Sequence, residues 1–205
     1  NMLTGILGNI SVAKKMISDA QARATLEKAE KASLKASGLT QQLLTFSRGG
    51  EPVKKPVRLE SLLPQSIRFA LSGSPIQWDM QLAEGLWPIH ADERQIDQAI
   101  DNLLINARQA MPHGGMIWVR ARKNGSNQVL LEVQDNGVGF TPYRLAKIQE
   151  RLSDESFEIS QTGEGFGLAN VNRRIKLYYG KEYGLSIESQ YQEGTQVTVV
   201  IPLQE

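Results

Sequence analysis

The sequence predicts an α+β protein in which an N-terminal helical hairpin precedes an α/β sandwich. Three observations support this fold class. Apolar residues recur at helical spacing from residue 3 to residue 46. The segment Gly49–Pro52 then interrupts that pattern with glycine and proline. Beyond it, strand-length apolar segments alternate with helical ones up to residue 201. We therefore expect two domains, residues 1–50 and residues 51–205.

The composition limits the chemistry that the chain can perform. The 205 residues are 40% hydrophobic and 22% charged, which suits one or two globular domains. Cysteine is absent, which excludes disulfides, thiolate metal sites and cysteine nucleophiles. Residues 1–58 contain 10 Lys and Arg against 4 Asp and Glu (+6), and residues 59–205 contain 13 against 18 (−5). The asymmetry fits two units with different partners, although on charge alone a solvated helix face is the better explanation.

The first 48 residues predict two antiparallel helices. A break at Ser18–Gln21 separates them, and the second helix continues to Phe46. Because two helices alone cannot bury both apolar stripes, we expect a homodimer in which two hairpins form a four-helix bundle. Packing of the hairpin against the rest of its own chain is the alternative.

The remaining residues predict a mixed sheet with helices. Asp92 is expected to cap a long helix, Pro64 to lie in the first turn of another, and Asn124-Gly125 to turn a hairpin. The predicted strands are Val53–Arg58, Ile76–Leu82, Trp87–Ile89, Met116–Arg122, Val129–Gln134, Leu185–Ser189 and Thr195–Ile201. The predicted helices are Leu59–Leu71, Asp92–Met111, Tyr143–Leu152 and Gly167–Tyr179.

The helix Asp92–Met111 carries a row of amide side chains. At about 100° per residue, five amides fall within about 80° on one side of the helix, beside its apolar face. This amide stripe consists of Gln95, Gln98, Asn102, Asn106 and Gln109. Amide oxygens can bind a partly hydrated Mg²⁺ on nucleotide phosphates, and amide NH₂ groups can donate to those phosphates. For the helix alone, a solvated polar flank is an equally good interpretation.

A second signal follows the next hairpin. Asp135 ends a predicted strand, and Gly137 and Gly139 come directly after it. A carboxylate at a strand end can accept a hydrogen bond from an exocyclic amine, and glycines let the backbone approach a flat ring. A simple Asp-Asn-Gly turn is the alternative, and by itself the better one.

A third signal precedes the last predicted helix. Gly163, Gly165 and Gly167 lead into it, and backbone N–H groups at a helix start can bind phosphate. No Gly-Lys-Ser/Thr follows and no strand leads in, which excludes a P-loop and a clean dinucleotide fingerprint. The polar residues 153–162 suit a mobile lid or a surface loop.

Taken in order, the three signals resemble a known set of motifs. Asn102-x-x-x-Asn106-Ala107, Asp135-x-Gly137-x-Gly139 and Gly163-x-Gly165-x-Gly167-Leu168 resemble the N, G1 and G2 boxes of Bergerat-type ATPases and kinases. Within that superfamily, nearly the whole chain resembles the sensor histidine kinases of two-component systems. Residues 1–50 are similar to their dimerisation and phosphoacceptor hairpin, and residues 51–205 to their catalytic ATP-binding domain.

The resemblance implies an ATP-dependent protein-histidine kinase that uses ATP and Mg²⁺. It implies that Asn102 and Asn106 are catalytic, that Asn106 holds Mg²⁺ and that Asp135 reads adenine. The ATP-binding residues that it implies are Asn102, Asn106, Gln109, Asp135, Gly137, Gly139, Gly163, Gly165, Gly167, Leu168 and Thr195.

The phosphoacceptor histidine of that family is missing from the hairpin. The two histidines are His90 and His113, and neither lies there. The family pattern puts the phosphoacceptor about four residues before Asn1. Asn1 would then match the amide that places the water in phosphatase action.

Two further features depart from the family pattern. The phenylalanine-containing F box is not recognisable before Gly163, and Phe157 is a weak candidate for it. The segments Gly167–Val171 and Tyr178–Gly180 resemble a different histidine-kinase branch from the hairpin.

Two other functional classes are weighed against the kinase. A gyrase-type ATPase needs a glutamate one turn before the metal-binding Asn, where this chain has Asn102, and Asp101 lies about 100° away on the helix. A nucleotide-binding regulatory module, such as an anti-sigma-like switch protein, would need no hairpin. We favour the kinase, with relay of the phosphoryl group to an aspartate of a response regulator receiver domain.

The partners and location follow from the same resemblance. The basic hairpin is the expected docking surface for the receiver domain, and no nucleic acid is expected as a partner. No apolar run is long enough to span a bilayer, so any membrane anchor would lie outside this chain. We expect a cytoplasmic location, either free or as the cytoplasmic part of a membrane-anchored sensor.

Overall fold

The computed structural model describes residues 2–17, 19, 21–30, 32–33, 53–125, 127–153 and 166–203. The chain divides into two compact units, Asn1–Glu51 and Pro52–Glu205. In the part of the chain that is described, the first unit contains helices alone and the second contains both helices and strands.

Two helices form the first unit. They are α1, Met2–Met16, and α2, which covers residues 21–30 and 32–33. The Asp19 carboxylate accepts a hydrogen bond from a backbone N–H three residues later at 2.7 Å, which caps the start of α2. Lys14 of α1 donates to Glu30 of α2 at 2.7 Å and so links the two helices. The remainder of the second predicted helix lies outside the described residues.

The second unit is a mixed α/β structure. Its strands are β1 (Lys55–Val57), β2 (Ile76–Leu82), β3 (Ile89–Ala91), β4 (Gly115–Asn124), β5 (Gln128–Asp135), β6 (Gly184–Gln190) and β7 (Gly194–Pro202). Its helices are α3 (Leu59–Ala70), α4 (Glu93–Ala110), α5 (Pro142–Ser153) and α6 (Phe166–Tyr179). The main sheet has the order β2-β4-β5-β7-β6, with β2 parallel to β4 and the other neighbours antiparallel. β1 and β3 form a separate antiparallel ribbon.

The core lies between one face of the main sheet and the helices. Along β5, Val129, Leu131 and Val133 are buried, and the residues between them are half-buried, as alternation along a strand requires. Ile100 and Leu104 of α4 are at most 1% exposed and belong to the same core. A sheet covered by helices after a helical N-terminal unit confirms the predicted α+β class.

Every predicted strand and helix of the second unit is present, with ends that differ by at most two residues. Two local expectations are wrong. β3 is Ile89–Ala91 rather than Trp87–Ile89, because residues 89–91 pair with β1 in the ribbon. Pro64 lies beyond the first turn of α3, where its missing N–H removes one hydrogen bond of the helix.

Candidate functional site

The start of α4 is fixed by the predicted cap. One oxygen of the Asp92 carboxylate accepts from the backbone N–H groups of Arg94 and Gln95, at 3.0 and 3.3 Å. The other oxygen accepts from the N–H of Val53 at 3.1 Å. Asp92 is buried, so both contacts are protected from water. They hold the beginning of α4 against the first residues of the second unit.

The amide stripe lies on the less buried side of α4. Asn106 and Gln109 are exposed, and Gln98 and Asn102 are half-buried. Ile100 and Leu104 face the core from the same helix. Exposed and half-buried amide groups therefore lie directly beside a packed face, as the sequence predicts. Their role in nucleotide binding stays a prediction.

Asp135 lies at the end of the central strand β5, 7% exposed. Its Oδ1 accepts from the N–H of Gly137 at 2.8 Å. Burial raises the pKa of the Asp135 carboxyl to about 6, although hydrogen bonds from the backbone N–H groups of Gly137 and Thr195 act in the opposite direction. A buried carboxylate held by backbone donors is a rigid hydrogen-bond acceptor.

The glycines after Asp135 are required by packing within the protein. A Cβ on Gly137 would approach the Cβ of Ala110 in α4 to 2.7 Å. Gly139 has a φ of +59°, and a Cβ there would meet the carbonyl oxygens of Gln190 and Gly194 in the β6–β7 turn. The loop is therefore wedged between the end of α4 and that turn, and the glycines alone do not demonstrate a ligand.

Side chains that sequence reasoning missed hold this loop in place. The Oδ1 of Asn136 accepts from Met116 N–H at 2.8 Å. The Ser189 hydroxyl accepts from Phe140 N–H at 2.9 Å, donates to the Gly194 carbonyl at 2.7 Å and lies 3.0 Å from the hydroxyl of Thr195. Asn136 lies within the Asp-Asn-Gly segment, but no role was predicted for its side chain. Ser189 belongs to no recognisable motif, and only the pairing of β6 with β7 brings it to the loop.

The third signal lies only partly within the described residues. Gly163 and Gly165 are outside them, as is Asn1. Gly167 is in the first turn of α6, and no atom of the described residues comes within 4 Å of a Cβ built there. Leu168 is 5% exposed, so its side chain belongs to the core. Open space at a helix start is compatible with a phosphate, and Leu168 could contact one only through its backbone.

Contacts near the C-terminal end of α6 establish the relative direction of α4 and α6. Asp92 at the start of α4 interacts with Tyr179 at the end of α6. One to two turns further along, Gln98 of α4 accepts from Arg174 of α6 at 3.0 Å. The two helices are therefore antiparallel, and the start of α6 lies toward the C-terminal half of the amide stripe. The structure thus brings the amide stripe and the start of α6 to the same region.

The described residues also form a cleft outside the predicted nucleotide site. No three His, Cys, Asp or Glu side chains converge in a way that could hold a metal ion. A cleft of about 210 Å³ lies between β1, α3 and the start of α4 and contains none of the predicted ATP-binding residues. It is lined by Pro56, Val57, Arg58, Ser61, Leu62, Gln65 and Glu93.

Comparison with known families identifies this arrangement. The model of the family described as "Histidine kinase-, DNA gyrase B-, and HSP90-like ATPase" matches residues 91–205. The chain belongs to this ATPase family. The matched region begins beside Asp92 and contains the amide stripe, Asp135 with its glycines, and the segment that leads into α6.

The curated proteins similar to this chain include named histidine kinases. Signal transduction histidine-protein kinase AtoS of Escherichia coli (strain K12) is 27% identical over 206 residues, which cover 99% of this chain and 33% of AtoS. Sporulation kinase B of Bacillus subtilis (strain 168) is 34% identical over 115 residues, 56% of this chain and 25% of that kinase. The chain thus spans a quarter to a third of the length of these relatives. The predicted resemblance to sensor histidine kinases is confirmed.

Solved structures of histidine kinases share the fold. Full-length ShkA in complex with AMPPNP aligns with a TM-score of 0.63 and 22% identity over 98% of this chain and 43% of ShkA. ThkA in complex with the response regulator TrrA aligns with a TM-score of 0.66 and 17% identity over 98% of this chain and 58% of ThkA. At this identity the likeness establishes the fold. Within the described residues, no helix has the length and apolar character needed to cross a bilayer.

Proposed function

We propose that residues 51–205 form a catalytic domain that binds Mg·ATP and transfers its γ-phosphoryl group to a histidine. The observation that carries this proposal is Asp135: a buried carboxylate, fixed by backbone N–H groups, at the end of the central strand of a domain of this ATPase family. One oxygen takes the Gly137 N–H, and the carboxylate can still accept the exocyclic amine of adenine. Full-length ShkA, which shares the fold, was solved in complex with the ATP analogue AMPPNP.

The amide stripe would supply the phosphate end of the site. Asn102 and Gln109 can donate their NH₂ groups to phosphate oxygens, and Asn106 can offer its amide oxygen to Mg²⁺. No carboxylate cage for a metal is present among the described residues, which fits a Mg²⁺ held mainly by phosphates and water. When bound, that ion would neutralise charge on the phosphates. Backbone N–H groups would also donate to the phosphate oxygens, from Gly163, Gly165, Gly167 and Leu168.

Transfer to a histidine fits this site better than hydrolysis. The bond from the γ-phosphorus to the bridging oxygen of ADP breaks, and a bond from that phosphorus to an imidazole nitrogen forms. The attacking nitrogen uses its lone pair, and the proton on the other ring nitrogen passes to a carboxylate beside the acceptor. Asn102 has no basic lone pair, so the stripe offers no general base for an attacking water. The contribution of this domain is then positioning and charge neutralisation.

The remaining predicted features belong to the first unit. Residues 1–50 would form the dimerisation and phosphoacceptor hairpin. Ile6, Val12 and Met16 of α1 are 45%, 56% and 82% exposed, so apolar surface is available for a second copy. A receiver domain would dock on the same basic hairpin, and the histidine kinase ThkA was solved with its response regulator. Asn1 would serve the phosphatase reaction.

Labelling tests the proposed reaction. A version extended through the residues before Asn1 is incubated with γ-labelled ATP and Mg²⁺. We expect acid-labile, base-stable label on a histidine of the extension and none on the 205-residue chain, although both bind ATP. Bound ATP without label on the extended chain would refute the kinase, and phosphate release in that case would favour an ATPase. The variant Asn106→Asp should weaken Mg·ATP binding while leaving the dimer intact.

A further inference from the structure

Arg174 of α6 lies against the amide stripe. Its Nη1 donates to Oε1 of Gln98 at 3.0 Å across the interface between α6 and α4. Both side chains are half-buried. Burial lowers the pKa of the Arg174 guanidinium from its ordinary value, because a cation loses hydration there. A guanidinium nevertheless stays protonated in proteins, so Arg174 puts a positive charge beside a row of neutral amides.

The helix geometry places this charge beside one end of the predicted phosphate site, one turn of α4 before Asn102. Gln98 precedes Asn102 by one turn, about 6 Å along α4. Because α4 and α6 are antiparallel, the residue one turn before Arg174 on α6, which is Asn170, lies toward Asn102. Arg174 therefore stands at the N-terminal end of the stripe, and Asn106 and the start of α6 lie toward the other end.

The sequence leaves few other cations for this site. Residues 154–165, which join α5 to α6, contain no Lys or Arg and four Asp or Glu. Residues 136–141, after Asp135, also lack Lys and Arg. Arg108 of α4 donates to the Ala70 carbonyl on α3 at 2.6 Å, away from the stripe. A triphosphate bound along α4 would need positive charge beyond that of Mg²⁺, and Arg174 is placed to supply it.

We propose that Arg174 binds the terminal phosphate of ATP and that Gln98 positions its guanidinium for that contact. The proposal rests on the proposed function, since it assumes a nucleotide along the amide stripe. A guanidinium has five N–H donors and can form two parallel hydrogen bonds to phosphate oxygens while Gln98 accepts from one of its nitrogens. The residue then distinguishes ATP from ADP, because only ATP has a phosphate at that position.

The test compares two nucleotides on the full chain. Dissociation constants for ATP and ADP, both with Mg²⁺, are measured by calorimetry for the parent chain and for Arg174→Met. We expect the ATP affinity to fall by about tenfold to a hundredfold, as for loss of a charge-assisted hydrogen bond. The ADP affinity should change less than about twofold, and it also reports that the variant is folded. Equal losses for both nucleotides, or no loss, would overturn the assignment.

Three variants make the result specific. Arg174→Lys should recover part of the preference for ATP, because it keeps the charge and loses the planar fork. Gln98→Ala should weaken ATP more than ADP, but less than Arg174→Met does. Arg173→Met, one residue earlier and about 100° around α6, should leave the ATP to ADP ratio unchanged. A parent chain that binds neither nucleotide refutes the proposed function itself, whereas a parent that binds both with an unchanged ratio in Arg174→Met refutes only this assignment.

Discussion

The carboxyl of Asp135 should make nucleotide binding depend on pH near 6. The perturbation is acidification, together with the variant Asp135→Asn. In the proposed function, adenine recognition uses the ionised carboxylate of Asp135 as an acceptor, and burial raises the pKa of Asp135 to about 6. Affinity is therefore complete above that value and falls as pH decreases through it. An unperturbed carboxyl, with a pKa of 3.8, would show no change in that range.

The size of the effect follows from the fraction of carboxylate. With a pKa of about 6, about a tenth of Asp135 is ionised at pH 5, so the Kd for nucleotide should be about tenfold higher at pH 5 than at pH 7.5. The amide of Asp135→Asn offers one acceptor oxygen instead of two, while the Gly137 and Thr195 N–H groups still require acceptors. Loss of a hydrogen bond to a charged group costs about 1.5–3 kcal/mol, which raises Kd about 10- to 150-fold at pH 7.5.

The assay is a titration of ATP and ADP between pH 5 and pH 7.5. Phosphates of the nucleotide also titrate there, so the decisive quantity is the ratio of Kd between variant and parent at each pH. That ratio should shrink about tenfold from pH 7.5 to pH 5 as the parent loses its carboxylate. Asp101→Asn is the matched control: the pKa of Asp101 is also raised to about 6, chiefly by burial, but Asp101 lies outside the stripe. A constant ratio for Asp135→Asn, or the same pH dependence in Asp101→Asn, would refute the reasoning.

Two further predictions concern stability. A Cβ in Gly194→Ala would collide with the Asp135 carbonyl oxygen at a φ of +125°, so we expect a loss of about 3 kcal/mol by denaturant unfolding. Gly125→Ala has open space at a φ of +66° and should lose only about 1 kcal/mol; equal losses would contradict the collision. Asp101 has a buried Oδ1 with no hydrogen-bond partner among the described residues. Because burial raises the pKa of its carboxyl to about 6, ionisation of Asp101 costs free energy in the folded state, and the parent loses stability as pH rises from about 4 through about 6. Asp101→Asn should therefore be about 1 kcal/mol more stable at pH 7, after allowance for solvent screening, and no more stable near pH 4.

Much of the fold could be predicted from periodicity and turn residues. The cap at Asp92 and the apolar face of α4 are local properties, because capping and helical spacing act within a few residues. The alternation of buried and half-buried residues along β5 is likewise a local property, because successive side chains of a strand point to opposite faces. The bounds of β3 in the β1–β3 ribbon could not be predicted in this way. β3 has three residues, and its bounds depend on pairing with β1, which is more than thirty residues away. Short strands carry little periodic signal of their own.

The sequence by itself determined the chemistry of the site: an amide stripe on one side of a helix, an acid at a strand end, and glycines before another helix. These follow from residue types and from the fixed repeat of helices and strands. Only the tertiary structure decided what those residues touch. It assigned Gly137 and Gly139 to contacts with α4 and the β6–β7 turn, and it buried Asp135 enough to bring its pKa to about 6. It also brought Arg174 to Gln98 across 76 positions of sequence, which no local pattern encodes. Contacts between distant segments and the loss of water around a charge arise when helices and strands pack, and packing is not a property of any one segment.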